Sequence, residues 1–135
     1  MNIMIAGIIV ISFISGCSEK STDYPRNYVN GEIIFRNDCA YTIIVNKMVQ
    51  SHEGETISED LDQILFPSSS FRLINLFNGE LIFPGGDKIT IDYRSQAANP
   101  NDPQSPLFSH SVFLTVNGSI TIRVKGEGYY EIGGN

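Results

Sequence analysis

The chain has 135 residues, and its 15 aspartates and glutamates outnumber its 9 lysines and arginines, which gives a formal charge of -6 at pH 7. This length fits one domain with a single modest core and leaves no room for a second domain. The acidic balance argues against a nucleic-acid-binding protein, because neutralising phosphates requires a clustered excess of lysine and arginine.

The first segment is apolar and carries no charge from Ile3 to Ser15. It is shorter than the roughly 20 residues that a membrane-spanning helix needs, and its length is typical of the apolar region of a secretory signal. The run ends in the sequence ISGC, residues 14–17. This sequence resembles the lipobox of bacterial lipoproteins, in which an aliphatic residue and two small residues precede an obligatory cysteine.

The resemblance implies a diacylglyceryl group on the sulfur of Cys17, cleavage between Gly16 and Cys17, and acylation of the new amino terminus. Several acyl chains would make this a stable membrane anchor, because each buried methylene contributes about 0.8 kcal/mol. The implied location is the bacterial cell envelope, with the outer membrane favoured and its leaflet left open. The residues after Cys17 also resemble in part the surface-export signals of small Bacteroidetes envelope lipoproteins. No lysine or arginine precedes the apolar run, so either Met1 is internal or export is inefficient.

Other interpretations of these residues stay open. Cys17 and Cys39 are the only two cysteines, and on number alone they could form a disulfide. The apolar run could instead form a buried strand or a simple hydrophobic anchor. We expect residues 1–16 to be a signal peptide, residues 17–30 a lipidated, polar and flexible tether, and residues 31–135 a single domain.

The body of the chain shows the alternation of β-strands. In KITIDYR, residues Ile89, Ile91 and Tyr93 share one face, and SITIRVK alternates in the same way. Less regular runs rich in β-branched and aromatic residues also predict strands. They are GEIIFR, YTIIVNKMV, FRLINLF, ELIF, SVFLTV and YYEI.

Turn sequences separate these strands. Asn78-Gly79 and Asn117-Gly118 are the strongest of them, because Asn-Gly readily adopts the two positive φ angles of a type I′ hairpin turn. Strands joined in this way are expected to be antiparallel neighbours. Seven to eight short strands predict an all-β fold, an antiparallel β-sandwich of the immunoglobulin-like kind, with a small closed barrel as the alternative.

Two segments interrupt this pattern. In GETISEDLDQILFP, Thr56 and Glu59 have the spacing of a capping box, and Ile57, Leu61, Ile64 and Leu65 fall on one helical face, so we expect a short helix over residues 57–65. The segment SQAANPNDPQSP, Ser95 to Pro106, has three prolines and no periodicity, which predicts a long surface loop.

Two groups of side chains suggest metal sites, and both patterns are weak. Glu53, Glu55, Glu59, Asp60 and Asp62 crowd a short stretch and offer the oxygen ligands that calcium prefers, but their order is not that of an EF-hand loop. Cys39 and the two histidines, His52 and His110, lack the paired spacing of zinc sites. We therefore expect no metal or other cofactor, and we expect Cys39 to be a small buried residue near a strand end.

The candidate binding residues lie in the last strand and in the proline-rich loop. Tyr129 and Tyr130 are adjacent, so strand alternation directs one of them outward, where its ring could stack on a sugar. Asn99, Asn101 and Asp102 are the polar candidates in the loop, since long loops on a rigid sandwich are frequent binding sites.

No sequence feature of an enzyme is present: there is no Gly-x-Ser-x-Gly motif and no phosphate-binding glycine loop. We therefore expect a lipid-anchored envelope protein that acts as a non-catalytic binding module for a glycan or a protein. The alternative is a structural or assembly subunit of an envelope complex that buries an edge strand against its partner. The oligomeric state is left open.

Overall fold

The computed structural model describes residues 27–99, 101–126 and 129–134. Gly16 and Cys17 lie outside these residues. The described residues form strands and no helix. The strands are β1 (Ile33–Asn37), β2 (Ile43–His52), β3 (Glu55–Leu65), β4 (Ser70–Arg72), β5 (Lys88–Ser95), β6 (Ala97–Asn99), β7 (Asp102–Pro106), β8 (Ser109–Thr115), β9 (Ile120–Gly126) and β10 (Tyr129–Gly134).

Two four-stranded sheets pack face to face. One has the strand order β10-β9-β1-β4 and the other β3-β2-β5-β8, while β6 and β7 form a separate two-stranded hairpin. All neighbours are antiparallel except β1 and β9, which are parallel. The prediction of an all-β sandwich is confirmed. Each large sheet keeps two edges and is not closed into a barrel, and the immunoglobulin-like connectivity stays a prediction.

Alternating side chains from both sheets fill one core. Ile89, Ile91 and Tyr93 of β5 are buried as predicted, because a half-buried strand directs every second side chain inward. Facing them from the other sheet are Ile33 and Phe35 of β1, and the rings of Phe35 and Tyr93 meet edge to face with centroids 5.5 Å apart. Such aromatic pairs contribute about 0.5–1.5 kcal/mol beyond the area they bury.

The expected helix over residues 57–65 is wrong, because this segment is strand β3. Residues Ile57, Leu61 and Leu65 are separated by four positions each, a spacing that fits one face of a helix and also one face of a strand. Ile64, the fourth residue of the predicted helical face, is 53% exposed and does not share the buried face of Leu65. Pairing with the long strand β2 decides between the two, since residues 55–65 match β2 from His52 to Ile43. Propensity is a weak prior that such tertiary pairing overrides.

The expected long loop from Ser95 to Pro106 is also wrong, because most of it forms the β6–β7 hairpin. Proline lacks the N–H that a central strand needs, which is why the three prolines predicted a loop here. A two-stranded hairpin has only edge strands, and edge strands tolerate proline.

The two Asn-Gly turns do not form hairpins of the predicted type. Gly79 and Gly118 have positive φ angles, but Asn78 and Asn117 do not, so neither pair is a type I′ turn. Asn117-Gly118 instead carries the chain from β8 in one sheet to β9 in the other. The pair with two positive φ angles is Glu53-Gly54, which joins β2 to β3.

The predicted strands FRLINLF and ELIF are reduced to β4 and a single bridge between Gly31 and Phe83. The segment between them is held by buried polar side chains. Gln50, fully buried in β2, donates from Nε2 to Asn75 (3.0 Å) and to Asp87 (2.9 Å), and its Oε1 accepts from the backbone N–H of Leu76 (2.8 Å). These bonds replace the ladder that this irregular segment lacks.

Candidate functional site

The strand directions place the loops at two opposite ends of the sandwich. β1, β3, β5 and β9 all finish at the same end, where β2, β4, β8 and β10 begin. Loops 38–42 and 66–69, the β6–β7 hairpin, the end of β9 and the start of β10 are therefore neighbours there. Residues 27–31 join the domain at the other end, beside the turn at Asn117, and we call that end the tether end.

Four large apolar side chains are exposed among the loops at the first end. They are Tyr41 (42% exposed), Phe66 (62%), Leu107 (48%) and Tyr129 (58%). We call this surface, defined by these four residues, the aromatic end. Single exposed apolar residues are common, but several at one end of a domain are typical of an interaction site.

One buried side chain, Asn37 at the end of β1, fixes the loops of the aromatic end. Its Nδ2 donates to the carbonyls of Tyr41 (2.7 Å) and Leu65 (2.9 Å), and its Oδ1 accepts from the backbone N–H of Cys39 (3.0 Å). The backbone of Asn37 also bonds to Ser68 and Ser69. Tyr41 and Phe66 therefore stand on backbone that is held in place before any ligand arrives, which lowers the ordering cost of binding.

Cys39 is a free, buried thiol beside Asn37, as predicted. Its S–H donates to Asn37 Oδ1 (2.8 Å), and its side chain packs close to Gly126 of β9. The thiol thus belongs to the packing that joins loop 38–42 to the end of β9.

The predicted polar candidates lie at the tip of the β6–β7 hairpin, where they are exposed. Asn99 Oδ1 accepts from the N–H of Asn101 (3.0 Å), and Asp102 Oδ1 accepts from the N–H of Gln104 (3.0 Å). These are local bonds of the kind that shape turns, so one oxygen of each side chain is committed to the hairpin itself. The base of the hairpin is held by Ser95, whose Oγ accepts from the N–H groups of Leu107 and Phe108.

Tyr129 and Tyr130 have the different environments that alternation predicted. Tyr129 is the exposed member and belongs to the aromatic end. Tyr130 packs against the core, with its ring centroid 5.5 Å from that of His110. The ring centroid of His110 in turn lies 6.0 Å from that of Tyr93. Tyr130 therefore covers the gap between the edge strands β8 and β10 and does not point into solvent.

Tyr93 is the one buried side chain of the described residues whose polar atom has no hydrogen-bond partner there. Burial, more than its neighbours Tyr130 and Cys39, raises the pKa of this phenol well above its usual range. The hydroxyl is consequently neutral, and it adds polarity to an otherwise aromatic part of the core.

The structure separates the side chains considered for zinc. Cys39 lies near the aromatic end, whereas His52 is the last residue of β2, at the tether end. The acidic residues considered for calcium are spread over a strand that directs Glu59 inward and Asp60 outward, which scatters their oxygens. Within the described residues, no group of three or more metal-ligating side chains is close enough to hold an ion.

His52 and Asp87 form a close pair at the tether end. His52 Nδ1 lies 2.6 Å from Asp87 Oδ1, and Asp87 is almost fully buried. The hydrogen bond to Asp87 is the main cause that raises the pKa of His52, and the charges of Asp87, Glu53 and Glu55 act in the same direction against the opposing effect of burial. The other ring nitrogen, Nε2, lies 3.7 Å from Glu53 Oε2, so both nitrogens of this imidazole have a carboxylate as neighbour.

Sequence reasoning identified Tyr129 and missed Tyr41, Phe66 and Leu107. Phe66 and Leu107 each lie just outside a strand, next to a residue that packs inside, and Tyr41 lies two residues before β2. Leu107, for example, precedes Phe108, which packs on Tyr41 with ring centroids 6.3 Å apart. The sequence signal for such residues is an apolar residue directly after a predicted strand. Which strand ends lie together at one end of the sandwich, however, depends on the strand order, which the sequence does not show.

Comparison with known proteins identifies no family. No protein-family model and no curated protein matches the chain. Solved structures that are similar to it are the human-specific toxin intermedilysin (13% identity, TM-score 0.49), pneumolysin (14%, 0.43) and the membrane-binding domain of pneumolysin (14%, 0.37). These alignments cover 80%, 78% and 78% of this chain, and 24%, 23% and 95% of the other chains.

This chain therefore spans about a quarter of the length of the two whole toxins. The similarity is too low to carry an argument about function. Within the described residues, no helix is both long and apolar enough to cross a membrane. The function must be argued from the surface of the domain itself.

Proposed function

We propose that this protein is a non-catalytic binding module of the bacterial cell envelope, anchored through a lipid on Cys17, that recognises a glycan or a protein with its aromatic end. The observation that supports this most is the exposure of four large apolar side chains at one end of the sandwich, Tyr41, Phe66 and Leu107 on separate loops and Tyr129 at the start of β10. Aromatic residues supply much of the binding energy of protein interfaces.

The place where the chain joins the domain supports this assignment. Val29 donates to Asn117 Oδ1 (3.0 Å) and accepts from the N–H of Gly118 (2.6 Å), so residues 27–30 are fixed at the tether end. Strand β2, with 10 residues, spans about 33 Å from one end of its sheet to the other. A lipid anchor ahead of residue 27 would therefore leave the aromatic end directed away from the membrane.

The chemistry of the aromatic end suits a ligand with both apolar and polar surface. Tyr129 presents a large ring with a hydroxyl, and the hairpin tip at Asn99 and Asn101 adds amide groups. Sugars offer apolar ring faces next to hydroxyls, and protein interfaces combine aromatic anchors with a polar rim. We therefore propose these two classes of ligand and assign no catalytic residue.

The decisive experiment compares two variants of the aromatic end with one control variant. Tyr129→Ser and Phe66→Ser each remove an exposed ring from the aromatic end, whereas Phe113→Ser removes an equally exposed ring (67%) from the outer face of β8. The full chain and its variants are tested on an array of envelope and host glycans and by crosslinking to envelope proteins on cells.

Loss of about tenfold in affinity for Tyr129→Ser or Phe66→Ser, with Phe113→Ser unchanged, is the expected result. Equal losses for all three variants would reject the aromatic end as the site. The anchor is tested separately by membrane fractionation and fatty-acid labelling of Cys17→Ala. A variant that stays in the membrane and is still labelled would reject lipidation at Cys17.

A second function, as an assembly subunit of an envelope complex, is favoured by the free edge of strand β3. This strand has 11 residues and pairs on one side with β2, and no described strand covers its other side. A long free edge is a template for a strand from another chain. Co-purification of a stable partner that is lost when this edge is blocked would support this function.

A further inference from the structure

Strand β3 is an unusually acidic edge. It contains Glu55, Glu59, Asp60 and Asp62 and no lysine or arginine. Glu59, Asp60 and Asp62 form no ion pair with the described residues, although Lys47 of β2 stands opposite Asp60 in the ladder. These three carboxylates are therefore not neutralised by a lysine or arginine side chain of the described residues.

The backbone of β3 is free to accept another strand. The turn at Glu53-Gly54 closes on the pair His52–Glu55, so hydrogen bonds to β2 come from Glu55 and from every second residue after it. The residues between, Thr56, Ser58 and Asp60, direct their N–H and C=O groups away from β2. They are the groups that an added strand would pair with.

A groove lies beneath the inner side of β3. The facing strand β4 has only three residues, so it leaves an open space of about 360 Å³ between β3 and the segment after β4. Its apolar lining comes from Leu61, Phe71, Leu73, Ile74 and Leu76. Glu59 enters from β3, while Arg72 on the other side is paired with Glu32 (3.3 Å).

We infer that the edge of β3 takes up an extended, basic segment of a partner protein as a fifth strand of the sheet. Alternate side chains of such a segment point in opposite directions. Apolar residues would therefore enter the groove below, while lysine or arginine residues on the opposite face would stand beside the outward carboxylate of Asp60. The inference supplies the partner class for the assembly function and does not depend on the aromatic end.

The acidic side chains of β3 indicate which kind of strand can pair with its free edge. A second copy of β3 placed along this edge would bring carboxylates next to carboxylates, and like charges on neighbouring strands are destabilising. The same carboxylates attract a basic strand. They therefore disfavour pairing with a second copy of β3 and favour pairing with a basic partner segment. Charged residues on an edge are a common defence against aggregation. Protection from aggregation does not account for the apolar groove beside this edge, and the groove indicates that a partner segment binds there.

A β-bulge limits the length of the added strand. Asp62 has a positive φ angle of 49°, and the register between β2 and β3 shifts between Lys47–Asp60 and Val45–Gln63. Bulges bend a strand and interrupt its pairing. The pairing region therefore extends from Thr56 to Asp60, and the partner segment needs about five residues in register.

The test uses the full chain in detergent and a fluorescent peptide of alternating lysine and valine, with a glutamate-for-lysine peptide as the control ligand. Ser58→Pro removes an N–H that points away from β2, whereas Ser58→Ala keeps it. Far-ultraviolet circular dichroism checks that both variants fold. Hydrogen exchange of the wild-type chain, with and without the lysine peptide, provides a measurement that needs no variant.

We expect the lysine peptide to bind, to lose affinity at high salt, and to bind Ser58→Pro about tenfold more weakly while Ser58→Ala is unchanged. Its binding should slow exchange at Thr56, Ser58 and Asp60. The inference is overturned by equal binding of the glutamate peptide, by protection at the β8 edge instead, or by unchanged exchange along β3. Dimerisation through β3 would also overturn it. Failure here would leave the result of the aromatic-end variants unaffected.

Discussion

Replacing Gln50 by leucine tests whether buried hydrogen bonds hold the irregular segment between β4 and β5. Gln50 is fully buried and makes three hydrogen bonds, two from Nε2 and one to Oε1. Leucine fills a similar volume, so the substitution removes these bonds and leaves little cavity. Two groups would then lack a partner: one oxygen of the buried carboxylate of Asp87 and the N–H of Leu76.

The expected loss follows from these two groups. An unsatisfied buried donor or acceptor costs about 1–3 kcal/mol, and more when it is charged. Asn75 Oδ1 keeps its bond from Phe77 and adds little. Leucine recovers about 1 kcal/mol through its apolar burial. The free energy of unfolding should therefore fall by about 2–4 kcal/mol, a large part of the stability of a domain of this size.

Urea denaturation followed by circular dichroism measures this change, with the slope of the transition as a check on two-state behaviour. Met48→Leu is the matched control, because Met48 is the preceding inward residue of β2 and the exchange of methionine for leucine conserves volume. It should cost less than about 1.5 kcal/mol. If Gln50→Leu cost no more than Met48→Leu, the hydrogen bonds would not be what holds this segment.

Two further predictions concern the same end of the molecule. The hydrogen bond to Asp87 raises the pKa of His52 above 6.5, so the contribution of this bond to stability is complete below that pH and is lost as the pH rises through the folded-state pKa. The urea midpoint of the wild-type protein should therefore fall between about pH 5.5 and about pH 8.5, and this fall should be smaller in His52→Gln. An equal fall in both proteins would contradict the prediction. Gly31→Ala places a Cβ against the backbone of Gly118 and should lower the free energy of unfolding by about 2 kcal/mol or more. Gly79→Ala has open space around the new Cβ and only an unfavourable φ angle of +77°, so it should lower the free energy of unfolding by about 1 kcal/mol. Equal melting temperatures for the two variants would refute this prediction.

Alternation within single strands was readable from the sequence because it depends only on neighbours along the chain. Ile89, Ile91 and Tyr93 are buried as expected, and Cys39 is a buried thiol after β1. The sheet that each strand joins was not readable. Asn117-Gly118 has the composition of a hairpin turn, yet it crosses between sheets, and Asn117 there accepts a hydrogen bond from Val29. That partner lies 88 residues away in the sequence.

The candidate site was only partly predictable for the same reason. Alternation in the last strand predicted that either Tyr129 or Tyr130 is exposed, and the structure shows that it is Tyr129. Tyr41 and Phe66 come from loops that the strand order brings to one end, where Asn37 at the end of β1 binds the carbonyls of Tyr41 and Leu65. The acidic run at Glu59 suggested a metal site or a helix, and its position on a free edge emerged from the pairing of β3 with β2.

The parallel pairing of β1 with β9 determines when this domain can fold. Ile33 pairs with Ile120, so the first strand has its longest neighbour only after nearly the whole chain has been made; before then it has only the three-residue strand β4. Contacts so distant in sequence make folding slow, because a long loop must close before they form. A chain that crosses a membrane amino terminus first would hold its apolar strands exposed until residues 120–126 emerged. We expect such a chain to need protection from aggregation throughout its translocation.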